Sequence, residues 1–103
     1  MKDSLAAHGW KLKSIEQWKK STNTIVSKSD LSPEQLSDVL HLNADGNWVS
    51  NRGSGKWSLV GKVLTIGDQV YTLTYISDSK LNYEQDDRYV SDQIIKFFYE
   101  AAP

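Results

Sequence analysis

The chain contains no cysteine, which removes a disulfide framework and a thiolate metal site from consideration and leaves the compartment unmarked by redox chemistry. It has no excess of positive charge either. Its 12 Lys and Arg residues stand against 13 Asp and Glu, a formal net charge of −1. Generic affinity for nucleic acid or for an anionic membrane surface needs a basic excess, so neither is expected as a partner. No run is apolar for the length that a bilayer crossing requires, and Met1 to Trp10 lacks the apolar segment of a signal peptide. The chain as it stands therefore reads as soluble, without a transmembrane segment. At 103 residues and 39% hydrophobic it has material for one core, and so for a single domain over 1–103 with a flexible N-terminus at 1–8.

What the chain does have is aromatic residues and short alternating runs. Four tryptophans, five tyrosines and two phenylalanines are a large complement for this length, and rings of this size are how a small all-β domain fills its interior. Charge is unevenly placed: residues 1 to 28 carry six lysines against Asp3 and Glu16, a distribution that a solvated face accounts for.

The alternation begins at Trp10 and Leu12, which are interleaved with Lys11 and Lys13, so that apolar groups take one face of a strand and ammonium groups the other. Segment 19–30 is polar apart from Ile25 and Val26, and reads as a surface connection with room for one short edge strand. Ser32-Pro33-Glu34-Gln35 combines a hydroxyl cap, a proline at the first helical position and a capping-box glutamine, which predicts a short helix at 33–38. From Leu40 the period becomes two. Leu40 and Leu42, Trp48, Trp57 and Leu59, Leu64 and Ile66, Tyr71 and Leu73, Leu81 and Tyr83, and Phe97 and Tyr99 share one face, and Ile76 and Ile95 are assigned to it as well. Asn43-Ala44-Asp45-Gly46 has the composition of a tight turn closed by a left-handed glycine. Asn51 to Gly55 reads as a longer, flexible hairpin loop. The sum is about eight strands in an antiparallel up-and-down meander. A meander of this kind has two exposed edges unless its first and last strands pair, so a strand near 10–18 is predicted to pair with one at 93–100 and close a β-barrel.

Several of these pieces, in this order, resemble one family. Gly9-Trp10-Lys11-Leu12, the run Leu42 to Val49, Gly53-Ser54-Gly55-Lys56-Trp57-Ser58-Leu59, Leu64-Thr65-Ile66 and Tyr71-Thr72-Leu73 are similar to the short lipocalin-like domains of bacterial, especially Bacteroidetes-type, secreted proteins and lipoproteins. The likeness extends over nearly the whole chain. Gly9 directly precedes Trp10 and the last strand carries Lys96 in place of an arginine, which sets the chain apart from animal lipocalins. The resemblance implies an up-and-down barrel, an extracytoplasmic location in the periplasm or at the cell surface, and a non-enzymatic role.

An eight-stranded barrel is at the size where side chains either fill the interior or leave space for one small ligand. In the second case the ligand is apolar or amphipathic, and the candidate contacts are Trp48, Trp57, Tyr71, Tyr83 and Phe97. In the first case the barrel is a rigid, fully packed platform for protein recognition, an inhibitor or a surface-assembly component, acting through loops 19–30 and 51–55 with Arg52 at the tip of the latter. A cavity above about 300 Å³ favours the ligand. An unpaired edge or apolar patch favours a protein partner.

No catalytic, metal or cofactor site is expected. Gly53-Ser54-Gly55-Lys56 lacks the first glycine and the hydroxyl of a phosphate loop, since Ser50 and Trp57 stand in those places. Asn43, Asp45 and Gly46 imitate part of a calcium loop, but Arg52 takes the position of its bidentate glutamate. His8 and His41 have no partner at metal-ligand spacing, Asp86, Asp87 and Asp92 read as a solvated acidic loop, and no nucleophile, base and orienting group fall together.

Overall fold

A computed structural model describes residues 2–102. In chain order it contains helix α1 (Lys2–Ala6), strands β1 (Gly9–Lys19) and β2 (Thr24–Lys28), helix α2 (Pro33–Ser37), and strands β3 (Val39–Leu42), β4 (Asn47–Ser50), β5 (Gly53–Val60), β6 (Val63–Ile66), β7 (Gln69–Ile76), β8 (Lys80–Asp86) and β9 (Gln93–Ala101). Strands β1 and β3 to β9 each pair antiparallel with the next, and β9 returns to β1, so hydrogen bonds run in a closed, barrel-like ring of eight. The closing pair extends from Trp10 opposite Ala101 to Lys19 opposite Gln93. Closure of the first strand on the last is thus present, and it leaves those strands no free edge within the ring.

β1 is long enough to serve two neighbours on its other side. Its first residues, Gly9 to Lys11, pair with β3, while Glu16 to Lys19 pair with β2. The polar segment 19–30 is therefore a hairpin that extends β1 past the ring, and all five residues of β2 are exposed. Among the described residues β2 is the ninth strand, attached on one side alone.

The helix at the β2–β3 connection forms for the reasons its sequence gives. Ser32 Oγ accepts from Gln35 N at 3.1 Å, and Gln35 Oε1 accepts from Ser32 N at 2.9 Å, the reciprocal capping box. The β3–β4 turn also follows its composition: Gly46 sits at φ +88°, a left-handed conformation that costs glycine little.

Two expectations are corrected. Asn51 to Gly55 is not a long loop: Asn51 and Arg52 alone make the turn, and Gly53 to Gly55 belong to β5, opposite Trp48 to Ser50. Within the segment expected to be flexible, the described residues 2–8 are not free of the domain. Residues 2–6 are helical, Leu5 is completely buried, and the Leu5 carbonyl accepts a 2.9 Å hydrogen bond from Trp10 Nε1. An indole buried in a β ring needs an acceptor that paired strands do not supply, and α1 brings one.

The core consists of Leu5, Trp10, Leu12, Leu42, Trp57, Leu64, Leu73, Leu81, Tyr83 and Tyr99, with Leu40, Trp48, Leu59, Ile66, Tyr71, Ile76 and Phe97 packed against it. Of the inward-facing residues expected from alternation, Ile95 alone is outside this cluster. It lies in the ladder between Gln17 of β1 and Gln85 of β8, two polar neighbours at the polar end of the closing pair. Fully buried leucines such as Leu42, Leu64 and Leu81 each contribute about 1.5–3 kcal/mol by leaving water. They gather toward the end of the ring that carries the β3–β4, β5–β6 and β7–β8 turns. The opposite end, with the β4–β5 and β6–β7 turns, is less filled.

Candidate functional site

The less-filled end holds a hollow of about 260 Å³, open to solvent on one side. Its walls are Leu40 of β3, Trp48 of β4, Ile66 of β6, Tyr71 of β7, Tyr83 of β8 and Tyr99 of β9, and its rim carries Arg52, Asp68 and Gln69. Two other hollows, of about 350 and 380 Å³, are depressions on the outer face. They are bordered by residues such as Val63, Val70 and Glu84 in one and Lys13, Lys80 and Glu100 in the other. Only the first brings inward-facing aromatic rings from several strands to one space.

The strand period explains how those rings meet. Tyr71 faces the interior opposite Leu64 on β6, and Tyr83 lies between Leu73 on β7 and Phe97 on β9 in the ladder. The Tyr71 and Tyr83 centroids are 4.5 Å apart, and Phe97 is 5.6 Å from the first and 5.1 Å from the second. Behind them Tyr83 Oη and Tyr99 Oη share a 2.7 Å hydrogen bond. Burial raises the pKa of all three phenols, Tyr83 well above 10 and Tyr99 to about 12. They remain neutral at physiological pH, hydrogen-bonding groups without charge.

The rim is built around a buried acid. Asp38, just past α2, is 8% exposed; its carboxylate accepts from Asn51 N at 2.7 Å and from Arg52 Nε at 3.1 Å. Both donors come from the two-residue β4–β5 turn, so the carboxylate ties that turn to the α2–β3 junction. The Arg52 side chain remains 70% exposed, so the attraction itself contributes little. Its effect is positional: it holds the guanidinium over the mouth.

Trp48 supplies one wall and carries an anomaly. Its Nε1 is sealed from solvent and is the one buried side-chain polar atom without a partner among the described residues. The indole lies on Gly55, where a β-carbon would stand 2.7 Å from Nε1. Glycine is required there by contact, not by backbone angle.

Of the five residues expected to contact a ligand, Trp48, Tyr71 and Tyr83 line the hollow. Phe97 backs Tyr71 and Tyr83, and Trp57 lies toward the filled end, 4% exposed, donating from Nε1 to the Asn43 carbonyl at 2.8 Å. Arg52 is not a free loop tip, since Asp38 holds it at the rim. Sequence reasoning missed Asp38, Leu40 as a wall, and Tyr99 as part of the site. Leu40 and Tyr99 carried the inward signal but not their height along the ring. Among the described residues no three His, Asp or Glu side chains come together as metal ligands, and no helix is long and apolar enough to cross a membrane.

Comparison with protein-family models, with curated proteins and with solved structures found no match to this chain.

Proposed function

We propose that this chain is a non-catalytic binding domain that takes a small apolar or amphipathic ligand through the less-filled end of its ring. The observation that carries this reading is the hollow itself, with four aromatic rings on its walls and one positioned cation on its rim. Apolar walls with a few converging polar groups are the usual make-up of a ligand site. At about 260 Å³ it falls just below the roughly 300 Å³ of ordinary ligand sites, so it suits nothing larger than a single ring or a short alkyl chain. The closed meander is the fold that the resemblance to bacterial lipocalin-like domains implies, and the extracytoplasmic setting we propose rests on that resemblance alone. The test is a titration of small amphipaths followed by tryptophan emission, since Trp48 is a wall. A saturable change, weakened when Leu40→Phe narrows the space, is the expected result; an emission spectrum indifferent to every compound rules the reading out.

A second reading, protein recognition through segment 19–30, has one observation in its favour. β2 pairs on one side alone, and Ile25 and Val26 are 50% and 52% exposed. An unpaired edge with apolar side chains is a template for another strand. Ile25→Lys separates the two readings: it removes an association made through β2 and leaves the hollow unchanged. Segment 51–55 remains available to a partner as well, since the Arg52 side chain is 70% exposed although its Nε is tied to Asp38.

A further inference from the structure

We infer that the ligand is a small carboxylate, its charge on the Arg52 guanidinium and its apolar or aromatic body among Leu40, Tyr71 and Tyr83; this rests on the reading that the hollow is a ligand site. The first ground is the posture of Arg52. Its backbone is fixed by the β4–β5 turn, where Arg52 N donates to Ser50 Oγ at 3.1 Å, and its Nε is committed to Asp38 at 3.1 Å. The two terminal nitrogens have no protein partner among the described residues, although Arg52 borders the hollow. A guanidinium held at Nε keeps its outer nitrogens as a planar, pre-positioned fork, the geometry that matches a carboxylate. A lysine ammonium at this place would not have that shape.

The second ground is the potential inside the hollow. Burial dominates the upward pKa displacement of Tyr71, Tyr83 and Tyr99, but at each of them the strongest influence from a formally charged residue is Arg52, acting to lower it. Asp68 at Tyr71 and Asp38 at Tyr99 act in the opposite sense and more weakly. Burial and the neighbouring tyrosines outweigh Arg52 at Tyr83 and Tyr99, but among formal charges it is Arg52 whose influence reaches all three phenols. Asp38 is already occupied by Asn51 and Arg52. Asp68 is exposed and accepts from Gln69 Nε2 at 3.3 Å, and Arg88 Nη2 donates to Gln69 Oε1 at 3.2 Å. A cation entering the hollow meets Arg52 first; an anion meets a free donor fork.

The third ground is the isolated N–H of Trp48, a residue that lines the same hollow as Arg52. No protein acceptor reaches it, and a small tilt of the indole off Gly55 would present it to an oxygen in the hollow. A carboxylate has two oxygens, enough for the guanidinium and the indole together.

The experiment compares three probes that differ only in their head group, hexanoate, 1-hexanol and hexylamine, titrated into ¹⁵N-labelled protein while the indole N–H resonance of Trp48 is followed. Hexanoate is expected to bind about ten-fold or more tightly than either other probe, the scale of one added charge-assisted hydrogen bond. Arg52→Gln should abolish that preference, and Arg52→Lys should retain part of it; thermal melts establish that each variant is folded. If 1-hexanol or hexylamine binds as well as hexanoate, or if the preference persists in Arg52→Gln, the carboxylate assignment is wrong and the ligand site stands. If none of the three shifts the Trp48 resonance up to about 10 mM, the site itself is refuted and the assignment falls with it. The wild-type series decides the charge even where Arg52→Gln does not fold.

Discussion

The indole of Trp48 lies directly across the strand pair on Gly55, so close that its Nε1 is 2.7 Å from the place a β-carbon would occupy. One residue's missing side chain is the other's seat. Gly55→Ala therefore cannot be accommodated without moving the indole toward the hollow or into solvent. Overpacking of this kind costs about 1–3 kcal/mol, and urea unfolding should show that loss. A changed Trp48 indole resonance should accompany it, because the N–H leaves its sealed position. An unaltered resonance would mean that the strand pair yields in place of the ring.

Leu5 provides a test of the N-terminal segment. It is fully buried and its carbonyl is the acceptor for Trp10 Nε1. Leu5→Ala is expected to lower stability by about 2–5 kcal/mol, as for other buried leucines. Deletion of residues 1–7 should cost at least as much, since it also removes the acceptor of a buried indole. Thermal or urea unfolding of the two variants checks this, and a truncated chain as stable as the whole would show α1 to be dispensable.

Asp38 joins two turns through one carboxylate, and its removal strands Asn51 N–H rather than Arg52, which has solvent at hand. Asp38→Ala is expected to cost about 1–3 kcal/mol. Asp38→Asn, which keeps an acceptor oxygen, should cost less. The informative measurement is a double-mutant cycle with Arg52→Ala: a coupling of about 1 kcal/mol or below is expected for a pair with one exposed member.

The phenols at the back of the hollow set an alkaline limit. Burial raises Tyr83 well above its ordinary value of 10 and Tyr99 to about 12. In the unfolded chain both ionise near 10. The folded state therefore holds protons that the unfolded state releases. Their contribution to stability is complete below pH 10 and is lost as pH rises from 10 toward 12, at about 1.4 kcal/mol per pH unit for each phenol. Urea midpoints measured from pH 8 to 11.5 should fall steeply in the wild type and less so in Tyr99→Phe. Parallel slopes for the two proteins would exclude Tyr99 as a source.

Most of the architecture was legible because it rests on local signals. Alternation placed Trp10 and Leu12, Leu64 and Ile66, and Leu81 and Tyr83 on one face. Ser32, Pro33 and Gln35 marked the α2 start, and the exposed-edge argument required β1 to meet β9. The misreadings occurred where composition outweighed geometry. Asn51 to Gly55 has the residues of a loop, yet its glycines are in β5 because Trp48 needs bare backbone beneath it. The α1 segment offers one leucine in five residues, too little for a period, and is secured by a tertiary hydrogen bond that no local pattern displays. Trp57 and Trp48 look alike in sequence, both inward and both on short strands. What separates them is height along the ring, which the stagger between strands decides. For the same reason Asp38 and Arg52, fourteen residues apart, could not be paired from sequence.

The β1–β9 closure has a kinetic consequence. Trp10 and Ala101 are neighbours in the ladder although almost the whole chain separates them, and contacts of such long range slow folding because the loop must be ordered before they form. Until Gln93–Ala101 reaches β1, the meander is an open sheet with two adhesive borders and no enclosed space. Pairing of β1 with β9 removes both borders at once, so whatever delays their meeting prolongs the interval in which open edges let aggregation compete with folding.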